Sequence, residues 1–329
     1  MENFRLFDYK DCFKSITEIE VIIIHEQYST ECLYTIAIPT FKRARDLESA
    51  LHSVFNQRGN IPFNLMVVDN NPERNDETEK LLSDMKYLNL SYYKNSKNIG
   101  MAGNWNRMMS LCKTKYLVML HDDDYLFPNY IQFIADVLEK YPTLSSLNVS
   151  KQPWDGLPLT CFPKNDLSSS YGLIEMKKCT NYYGFFFSPP SGCVFNVADV
   201  IEVGGFDPYA YPSIDYVLIE KLILLGKKVM LSRNKLLMYR IVNNATSQLD
   251  TQLKWLYIDE QIKKELGDIL HLPKWYQKFV IYMVLKVRLR GINKIDSSFR
   301  YKGMKGGGYL YLVFMKLWNV IYKIYFKLI

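Results

Sequence analysis

Cysteine is scarce in this sequence, and no two cysteines stand close enough along the chain to suggest a paired function. The 329 residues include six cysteines, and none of them forms a Cys-x-x-Cys or Cys-x-x-x-Cys pair. This spacing excludes a disulfide scaffold and is typical of reduced thiols in a cytosolic protein. The charged first segment, MENFRLFDYKDCFK, lacks the apolar core of a secretory signal. We therefore expect a cytoplasmic protein.

Long apolar runs and the common phosphate-binding loops are also missing. No stretch of about 18 uncharged apolar residues occurs, so no clean transmembrane span is predicted. The sequence has no G-x-x-x-x-G-K-[ST] motif and no G-x-G-x-x-G after its first predicted strand, which argues against P-loop enzymes and dinucleotide-dependent dehydrogenases. At 48% hydrophobic and 15% aromatic residues, the composition excludes intrinsic disorder and allows one large domain or two small ones.

Acidic residues are nearly absent from the last sixth of the chain. The whole sequence has 41 Lys+Arg and 34 Asp+Glu, a net charge of +7. Residues 274–329 hold 12 of these bases and one acid, which leaves 29 bases and 33 acids in the rest. A mildly acidic body with a strongly basic tail indicates that the tail meets an anionic surface, either a membrane or a nucleic acid.

Short apolar runs rich in β-formers alternate with helical spacing through the first half of the chain. Such alternation predicts parallel βαβ units and an open α/β sheet, whose ligands bind beyond the carboxyl ends of the strands. Residues 150–212 are less regular and predict loops and short strands that form a variable substrate wall. The predicted strands are 33–39, 63–68, 90–93, 116–120 and 236–240, and the predicted helices are 46–56, 76–85, 104–112, 129–139 and 213–225.

Two acidic turns follow predicted strands and so fall at the same edge of the sheet. Asp122, Asp123 and Asp124 come directly after strand 116–120, and Asp69 follows strand 63–68. Adjacent carboxylates suit Mg²⁺ or Mn²⁺, although a solvated turn or acids at the start of the next helix would give the same pattern. Asp69 could accept hydrogen bonds from a base or ribose, or could form an Asx-turn. The glycine-bearing loop 98–104 could bring backbone N–H groups to a phosphate, or could be a tight turn.

Four segments in this half carry a family resemblance. TIAIPTFKR (35–43), VVDNN (67–71), NIGMAGNWN (98–106) and LHDDDYLFP (120–128) occur in an order and spacing that resemble a family 2 glycosyltransferase with the GT-A fold. Further along, GGFD (204–207), Ile214-Asp215 and YRIVNNATS (239–247) extend the resemblance over residues 34–247. It implies a Rossmann-like, open, mostly parallel sheet flanked by helices. It also implies inverting transfer of a sugar from a nucleotide diphosphate-sugar, with UDP as the expected nucleotide.

The resemblance also implies a role for individual residues. Asp215 is expected to be the catalytic base, with Asp207 as the next candidate. The metal ligands for Mn²⁺ or Mg²⁺ are expected to be Asp123 and Asp124. Two positions depart from the family pattern, since His121 replaces the leading acid of the DXD motif and Val242 replaces a metal-binding histidine, for which Asn243 or Asn244 could substitute. The expected substrate-binding residues are Pro39, Thr40, Arg43, Asp69, Asn98, Gly100, Asp122, Asp207 and Arg240.

The basic tail ends in a segment with amphipathic helical spacing. In residues 309–329, Lys316, Lys323 and Lys327 share one narrow face at about 100° per residue, and the other faces carry aliphatic and aromatic residues. This pattern predicts a helix lying in the headgroup region of an anionic membrane, helped by the apolar stretch 279–290. Packing against the domain or at a homodimer interface is the alternative. Nucleic-acid binding is disfavoured because it has no use for the wide apolar face.

Together these observations predict three regions and a place in the cell. We expect an N-terminal extension (1–32), a GT-A domain (33–270) and a membrane-associating basic helical region (271–329). The GT-A domain would divide into a nucleotide-sugar half (33–140) and an acceptor half (141–270). The family and the tail imply a peripheral enzyme at the inner face of a bacterial cell membrane, with a lipid-linked saccharide acceptor in capsule, O-antigen or exopolysaccharide synthesis. The alternatives are a non-catalytic glycosyltransferase-like subunit and a sugar-phosphate nucleotidyltransferase.

Overall fold

The computed structural model describes residues 5–85, 87, 89–156, 172–178, 182, 189–242, 248–305, 313 and 317. These residues form α-helices, strands and one short 3₁₀ helix, Pro208–Ala210. The strands are β1 (Val21–His25), β2 (Tyr34–Thr40), β3 (Asn64–Asp69), β4 (Leu90–Asn95), β5 (Tyr116–Met119), β6 (Tyr125–Leu126), β7 (Leu144–Trp154), β8 (Leu173–Glu175), β9 (Cys193–Asn196) and β10 (Lys228–Arg240). The helices are α1 (Lys14–Thr17), α2 (Ala44–Phe55), α3 (Glu77–Asp84), α4 (Gly100–Leu111), α5 (Tyr130–Lys140), α6 (Val197–Glu202), α7 (Ile214–Leu224), α8 (Leu249–Ile269) and α9 (Lys274–Ile295).

The described strands form one mixed sheet in the order β1-β4-β3-β2-β5-β9-β7-β10-β6, with β8 paired to β10. Strands β4, β3, β2 and β5 run parallel to one another, as their crossover helices require. Strand β9 runs antiparallel between β5 and β7, and β7 and β10 form a second parallel pair. This sheet with helices on both faces confirms the predicted α/β, GT-A type of fold.

Alternating side chains of the central strands supply two hydrophobic cores. In β2, Ile36 and Ile38 are fully buried in one cluster together with residues of α2 and α5. Between them, Ala37 points to the other face and packs in a cluster that contains residues of α4 and α7. This period-two alternation means that both faces of β2 are covered, which is why the strand reads as a continuous apolar run in the sequence.

Strands β10 and β1 are among those that differ from the sequence prediction. The predicted strand 236–240 is the end of β10, which begins at Lys228. Its polar middle, Ser232 to Lys235, interrupts the apolar pattern, and the pairing with β7 shifts register at this point. Strand β1, which the sequence analysis did not predict, pairs antiparallel with β4 at the edge of the sheet. Both strands owe their place to partners far along the chain.

Helices α8 and α9 pack on the domain next to α7. Ile262 and Leu266 of α8 and Val280 of α9 share a cluster with Tyr216 and Val217 of α7. The apolar stretch 279–290 lies within α9, which therefore buries one of its faces. None of the helices described is long and apolar enough to cross a membrane. The predicted helix at 309–329 lies outside the described residues except for Val313 and Leu317, and the predicted domain limits stay a prediction.

Candidate active site

One cavity of about 740 Å³ opens beyond the carboxyl ends of the central parallel strands. Its lining comes from the loops after β2, β3, β4 and β5, from the start of α7, and from α8 and α9. Four of the predicted site residues, Asp69, Asp124, Asp207 and Arg240, are not part of the lining. The predicted residues that line it are Pro39, Thr40, Arg43, Asn98, Gly100, Asp122, Asp123 and Asp215.

Strands β2 and β5 bring a cation to the acidic turn. Because the two strands pair in parallel, the residues that follow them meet at one edge of the sheet. Thr40 donates a hydrogen bond to Asp122 at 2.8 Å. Arg43, at the start of α2, bridges Asp122 at 3.3 Å and Asp123 at 2.9 Å. Burial raises the pKa of Asp122 to about 6, and the Arg43 charge opposes this rise. Arg43 thus relieves the repulsion between adjacent carboxylates.

The same turn holds a set of potential metal ligands. One ligand atom each from His121, Asp123 and Asp124 lies within 4.8 Å of the others. Asp124 is fully buried, and its Oδ1 accepts a hydrogen bond from the backbone N–H of Arg240 at 2.9 Å. Burial raises the pKa of Asp124 to about 7 and lowers the pKa of His121 to about 4. His121 is therefore neutral near pH 7, which is the form that binds metals.

Two buried atoms in this set lack hydrogen-bond partners among the described residues. They are Nε2 of His121 and Oδ2 of Asp124. Buried polar atoms are normally paired, and a bound cation would give both atoms a partner. Carboxylate oxygen with imidazole nitrogen is a donor set that accepts Mn²⁺. The residues therefore fit a divalent cation, and His121 belongs to the set although it departs from the family motif.

Asp69 lies behind the cavity instead of in its lining. Its carboxylate is fully buried and accepts hydrogen bonds from Lys94 at 2.7 Å and from Tyr92 at 3.1 Å. The Lys94 side chain is also 0% exposed and reaches Asp76 at 2.9 Å. Burial raises the pKa of Asp69, and Lys94 opposes the rise. The predicted contact of Asp69 with a base or ribose stays a prediction.

The cavity edge beside Asp69 is formed by Asn70, which the sequence interpretation did not single out. Its side chain donates to Asn98 Oδ1 at 2.7 Å and to the Gly100 carbonyl at 3.2 Å, and accepts from the Ile99 N–H at 3.0 Å. These bonds fix the glycine-bearing loop against the end of β3. The sequence could have indicated Asn70 as a site residue, because it follows Asp69 in the VVDNN segment.

Asp215 lies in the first turn of α7 and lines the cavity. Burial raises its pKa to about 6. A carboxyl with such a pKa is ionised near neutral pH and can accept a proton in a reaction. The geometry therefore allows Asp215 to be a general base for a molecule bound in the cavity.

Asp207, the other residue predicted as a possible catalytic base, makes contacts that stabilise the fold. Its Oδ1 accepts the Tyr209 N–H at 3.0 Å and so caps the 3₁₀ helix, and its Oδ2 pairs with Lys10 at 3.2 Å. The preceding Gly204 has a φ of +88°, and a Cβ on it would lie 1.9 Å from the Lys10 carbonyl oxygen. The GGFD segment is thus a tight turn packed against the N-terminal part of the chain.

Arg240 lies at the end of β10 and points away from the lining. Its guanidinium pairs with Asp46 at 2.5 Å, while its backbone holds Asp124. It supports the acidic turn through its N–H group, which any residue type except proline could supply.

Several residues of the lining come from α8 and α9 and could not be predicted from motifs. Thr251 and Trp255 lie on α8, and Arg288 lies on α9. Arg288 belongs to the region for which the sequence predicted membrane association. Nothing in its local sequence indicates a site, because its position depends on how the helices pack against α7.

Part of the chain matches a known protein family. Residues 35–187 match the family model described as Glycosyl transferase family 2. No curated protein sequence matches the chain. The structure of S. aureus TarS 1–349 in complex with UDP-GlcNAc superimposes with a TM-score of 0.56 at 15% identity, covering 80% of this chain and 74% of that one.

A second similar structure is that of a mannosyltransferase. The mannosyltransferase PcManGT from Pyrobaculum calidifontis, in complex with GDP-Man and Mn²⁺, has a TM-score of 0.54 at 12% identity. The match covers 91% of this chain and 83% of that chain. At such low identity, both likenesses establish the fold and leave the substrates of this chain to be argued from its own site.

Proposed function

We propose that the chain, whose residues 35–187 match the family model described as Glycosyl transferase family 2, is an inverting enzyme that moves a sugar from a nucleotide diphosphate-sugar to a hydroxyl group. One observation carries the proposal. A single cavity is lined by the Thr40–Arg43–Asp122–Asp123 cluster and by Asp215, so charge stabilisation and a base face the same volume.

The proposed reaction is one displacement at the anomeric carbon of the donor. The acceptor oxygen forms a bond to C1 while the bond from C1 to the diphosphate oxygen breaks, and the diphosphate leaves with the electron pair. Asp215 takes the proton of the acceptor hydroxyl. Attack from the face opposite the leaving group inverts the configuration at C1.

The departing diphosphate gains negative charge, which cationic groups must balance. Arg43 is the cation closest to the acidic turn, at 2.9 Å from Asp123. His121, Asp123 and Asp124 would hold Mn²⁺ or Mg²⁺, and such an ion supplies further charge neutralisation when bound. The metal requirement is part of the proposal.

For the donor, we propose a UDP-sugar. The support is the resemblance of the PTFKR segment, and TarS, a protein of similar fold, has been seen with UDP-GlcNAc. Pro39, Thr40, Asn98 and Gly100 would contact the nucleotide. Asp69, Asp207 and Arg240 would support the site without contacting the nucleotide. Asp69 would hold the turn at Asn70, and Asp207 would hold the turn before α7. Arg240 would hold the carboxylate of Asp124.

For the acceptor, we propose a lipid-linked saccharide at a membrane. Helix α9 contains six basic residues and no acidic one. Trp275, Phe279 and Tyr282 are spaced to share one face and are 72%, 43% and 45% exposed. Exposed aromatic residues beside bases are typical of surfaces that contact anionic lipid headgroups. We propose that this face and the basic tail hold the enzyme at the inner face of the membrane.

A donor screen tests the proposed activity. Purified protein is incubated with UDP-, GDP- and dTDP-sugars in the presence of Mn²⁺ or Mg²⁺, and released nucleoside diphosphate is measured. Release from one or a few donors is expected. Release of inorganic diphosphate from nucleoside triphosphate and a sugar phosphate would indicate a nucleotidyltransferase instead. No release from any donor would favour the non-catalytic alternative.

A further inference from the structure

The cavity has a second wall, which is independent of the residues matched to the family. It consists of Thr251 and Trp255 of α8 and Arg288 of α9. Thr251 and Trp255 are four residues apart, so they share one helix face. All three lie after residue 187, where the family match ends. The family match therefore does not include this wall.

This wall is held rigidly by one buried carboxylate. Asp259 on α8 is 0% exposed and accepts hydrogen bonds from Arg288 Nε and, at 3.5 Å, from the Ser213 hydroxyl. Trp255 Nε1 donates to the Ser213 oxygen at 2.9 Å. The Arg288 guanidinium also lies over the Trp255 ring, with Cζ 4.4 Å from its centroid. Ring and guanidinium are thus fixed relative to each other before any ligand binds.

Ser213 connects this wall to the candidate base. It is the N-cap residue of α7, and Asp215 follows two residues later in the first helical turn. Ser213 and Asp215 both line the cavity. A molecule that gives a hydroxyl proton to Asp215 therefore lies in the same cavity as Trp255 and Arg288.

The chemistry of the wall suits a sugar ring. The aromatic rings of Tyr211 and Trp255 offer flat apolar surfaces. The Arg288 guanidinium has N–H donors besides the Nε that binds Asp259, and such donors can fix the orientation of hydroxyl groups. The Thr251 hydroxyl pairs with the Tyr211 hydroxyl at 3.2 Å. The Arg288 charge is balanced by Asp259, so the wall does not require an anionic partner. We propose that α8 and α9 form the acceptor subsite, in which Trp255 and Arg288 determine specificity for a neutral saccharide ring. This inference rests on the proposed glycosyl transfer.

The test separates binding of the acceptor from use of the donor. Octyl glycosides of glucose, galactose and N-acetylglucosamine serve as acceptor probes with the donor found in the screen. Transfer to the probe and release of nucleoside diphosphate without a probe are measured for the wild type, Arg288→Met and Trp255→Leu. Lys264→Met is the matched control, because Lys264 is exposed on the same helical pair. Arg288→Lys and Trp255→Phe are milder variants, and thermal unfolding shows which variants fold.

We expect Arg288→Met and Trp255→Leu to raise the KM for the probe at least tenfold and to lower the ratio of transfer to donor hydrolysis by a similar factor. Lys264→Met should change neither quantity. Folded variants with an unchanged KM and an unchanged ratio would overturn the inference, as would a wild type that hydrolyses the donor but glycosylates no probe. Absence of donor hydrolysis in the wild type would instead contradict the proposed function and remove the premise of the inference.

Discussion

At the scale of single residues, Asp215 is the group whose chemistry is easiest to test. Replacement by Asn keeps its size and its position at the start of α7 but removes its ability to accept a proton. We expect turnover to fall by about 10² or more. Asp84→Asn, at an exposed position near the end of α3, is the control. Turnover of Asp215→Asn within twofold of the wild type would assign the base role to another residue.

The carboxyl groups of the site also predict the pH dependence of the reaction. Burial raises the pKa of Asp215 and Asp122 to about 6 and that of Asp124 to about 7. Each of these groups is needed in its ionised form, as base or as partner of a cation, and a raised pKa means that protonation begins close to neutral pH. Activity should therefore fall as the pH decreases from 7 to 5. A flat profile of kcat/KM across this range would be inconsistent with these roles.

The metal ligands give a separate residue-scale prediction. Excess EDTA should abolish transfer, and Mn²⁺ should restore it, because His121, Asp123 and Asp124 present three ligand atoms within 4.8 Å of one another. Asp123→Ala should weaken Mn²⁺ binding, measured by calorimetry, without a change in melting temperature. Full activity in EDTA would show that Arg43 and the protein dipoles neutralise the leaving group without a metal.

At the scale of secondary-structure elements, a buried ion pair joins β3 to β4 and should stabilise the folded protein. Lys94 of β4 and Asp69 of β3 pair at 2.7 Å with both side chains 0% exposed. Lys94→Met would leave a buried carboxylate without its cation, which costs about 3–5 kcal/mol in the free energy of unfolding. Lys80→Met, at an exposed position on α3, should stay within about 0.5 kcal/mol of the wild type.

Denaturant unfolding measures both of these variants. Asp69→Asn added to Lys94→Met should recover part of the loss, since it removes the uncompensated charge. Equal stabilities of Lys94→Met and Lys80→Met would mean that Asp69 is neutral in the folded protein.

Helix α9 has two faces with different proposed uses. Arg288 follows Phe279 by nine residues, about 900° of helical rotation, so the two side chains lie on opposite sides. One side thus lines the cavity and the other exposes Trp275, Phe279 and Tyr282. The double change Trp275→Ser and Phe279→Ser should lower binding to anionic vesicles several-fold in a sedimentation assay. Tyr209→Ser, which removes a 71% exposed ring elsewhere, is the control and should bind like the wild type.

At the scale of the whole molecule, the separation of charge predicts salt-dependent membrane binding. Residues 274–329 have 12 bases and one acid, whereas the remainder has 29 bases and 33 acids. Truncation after Lys305 keeps the bridge between Tyr301 and Met304 and removes three lysines with most of the apolar tail. Binding of the full chain to vesicles with anionic lipid should weaken as salt rises from 0.05 to 0.5 M, because screening shortens the range of the attraction to a few ångströms.

The truncated protein should bind these vesicles less tightly and should still release nucleoside diphosphate from the donor. Transfer to a lipid-linked acceptor should fall more than transfer to a soluble one. If the truncated protein sediments with vesicles as well as the full chain does, the tail is not the anchor, and α9 alone must account for the binding.

The sequence by itself determined the parallel half of the sheet and one side of the site. The apolar runs of β2, β3 and β5 are buried on both faces, and the helices between them have regular amphipathic spacing, so local patterns were sufficient. The acidic turn follows directly from this, because residues after neighbouring parallel strands meet at one edge. Asp122 and Asp123 were predicted for that reason, and Thr40 and Arg43 were predicted through the family resemblance.

Only the tertiary structure decided the rest. Strand β9 enters the sheet between β5 and β7, and the polar middle of β10 is ordered by pairing with β7, which begins more than 80 residues earlier. The same long-range packing turns Asp69, Asp207 and Arg240 away from the cavity lining and brings Trp255 and Arg288 into it. A local pattern reports which face of an element is buried. It cannot report what lies opposite that face, because this depends on contacts between segments far apart in the chain.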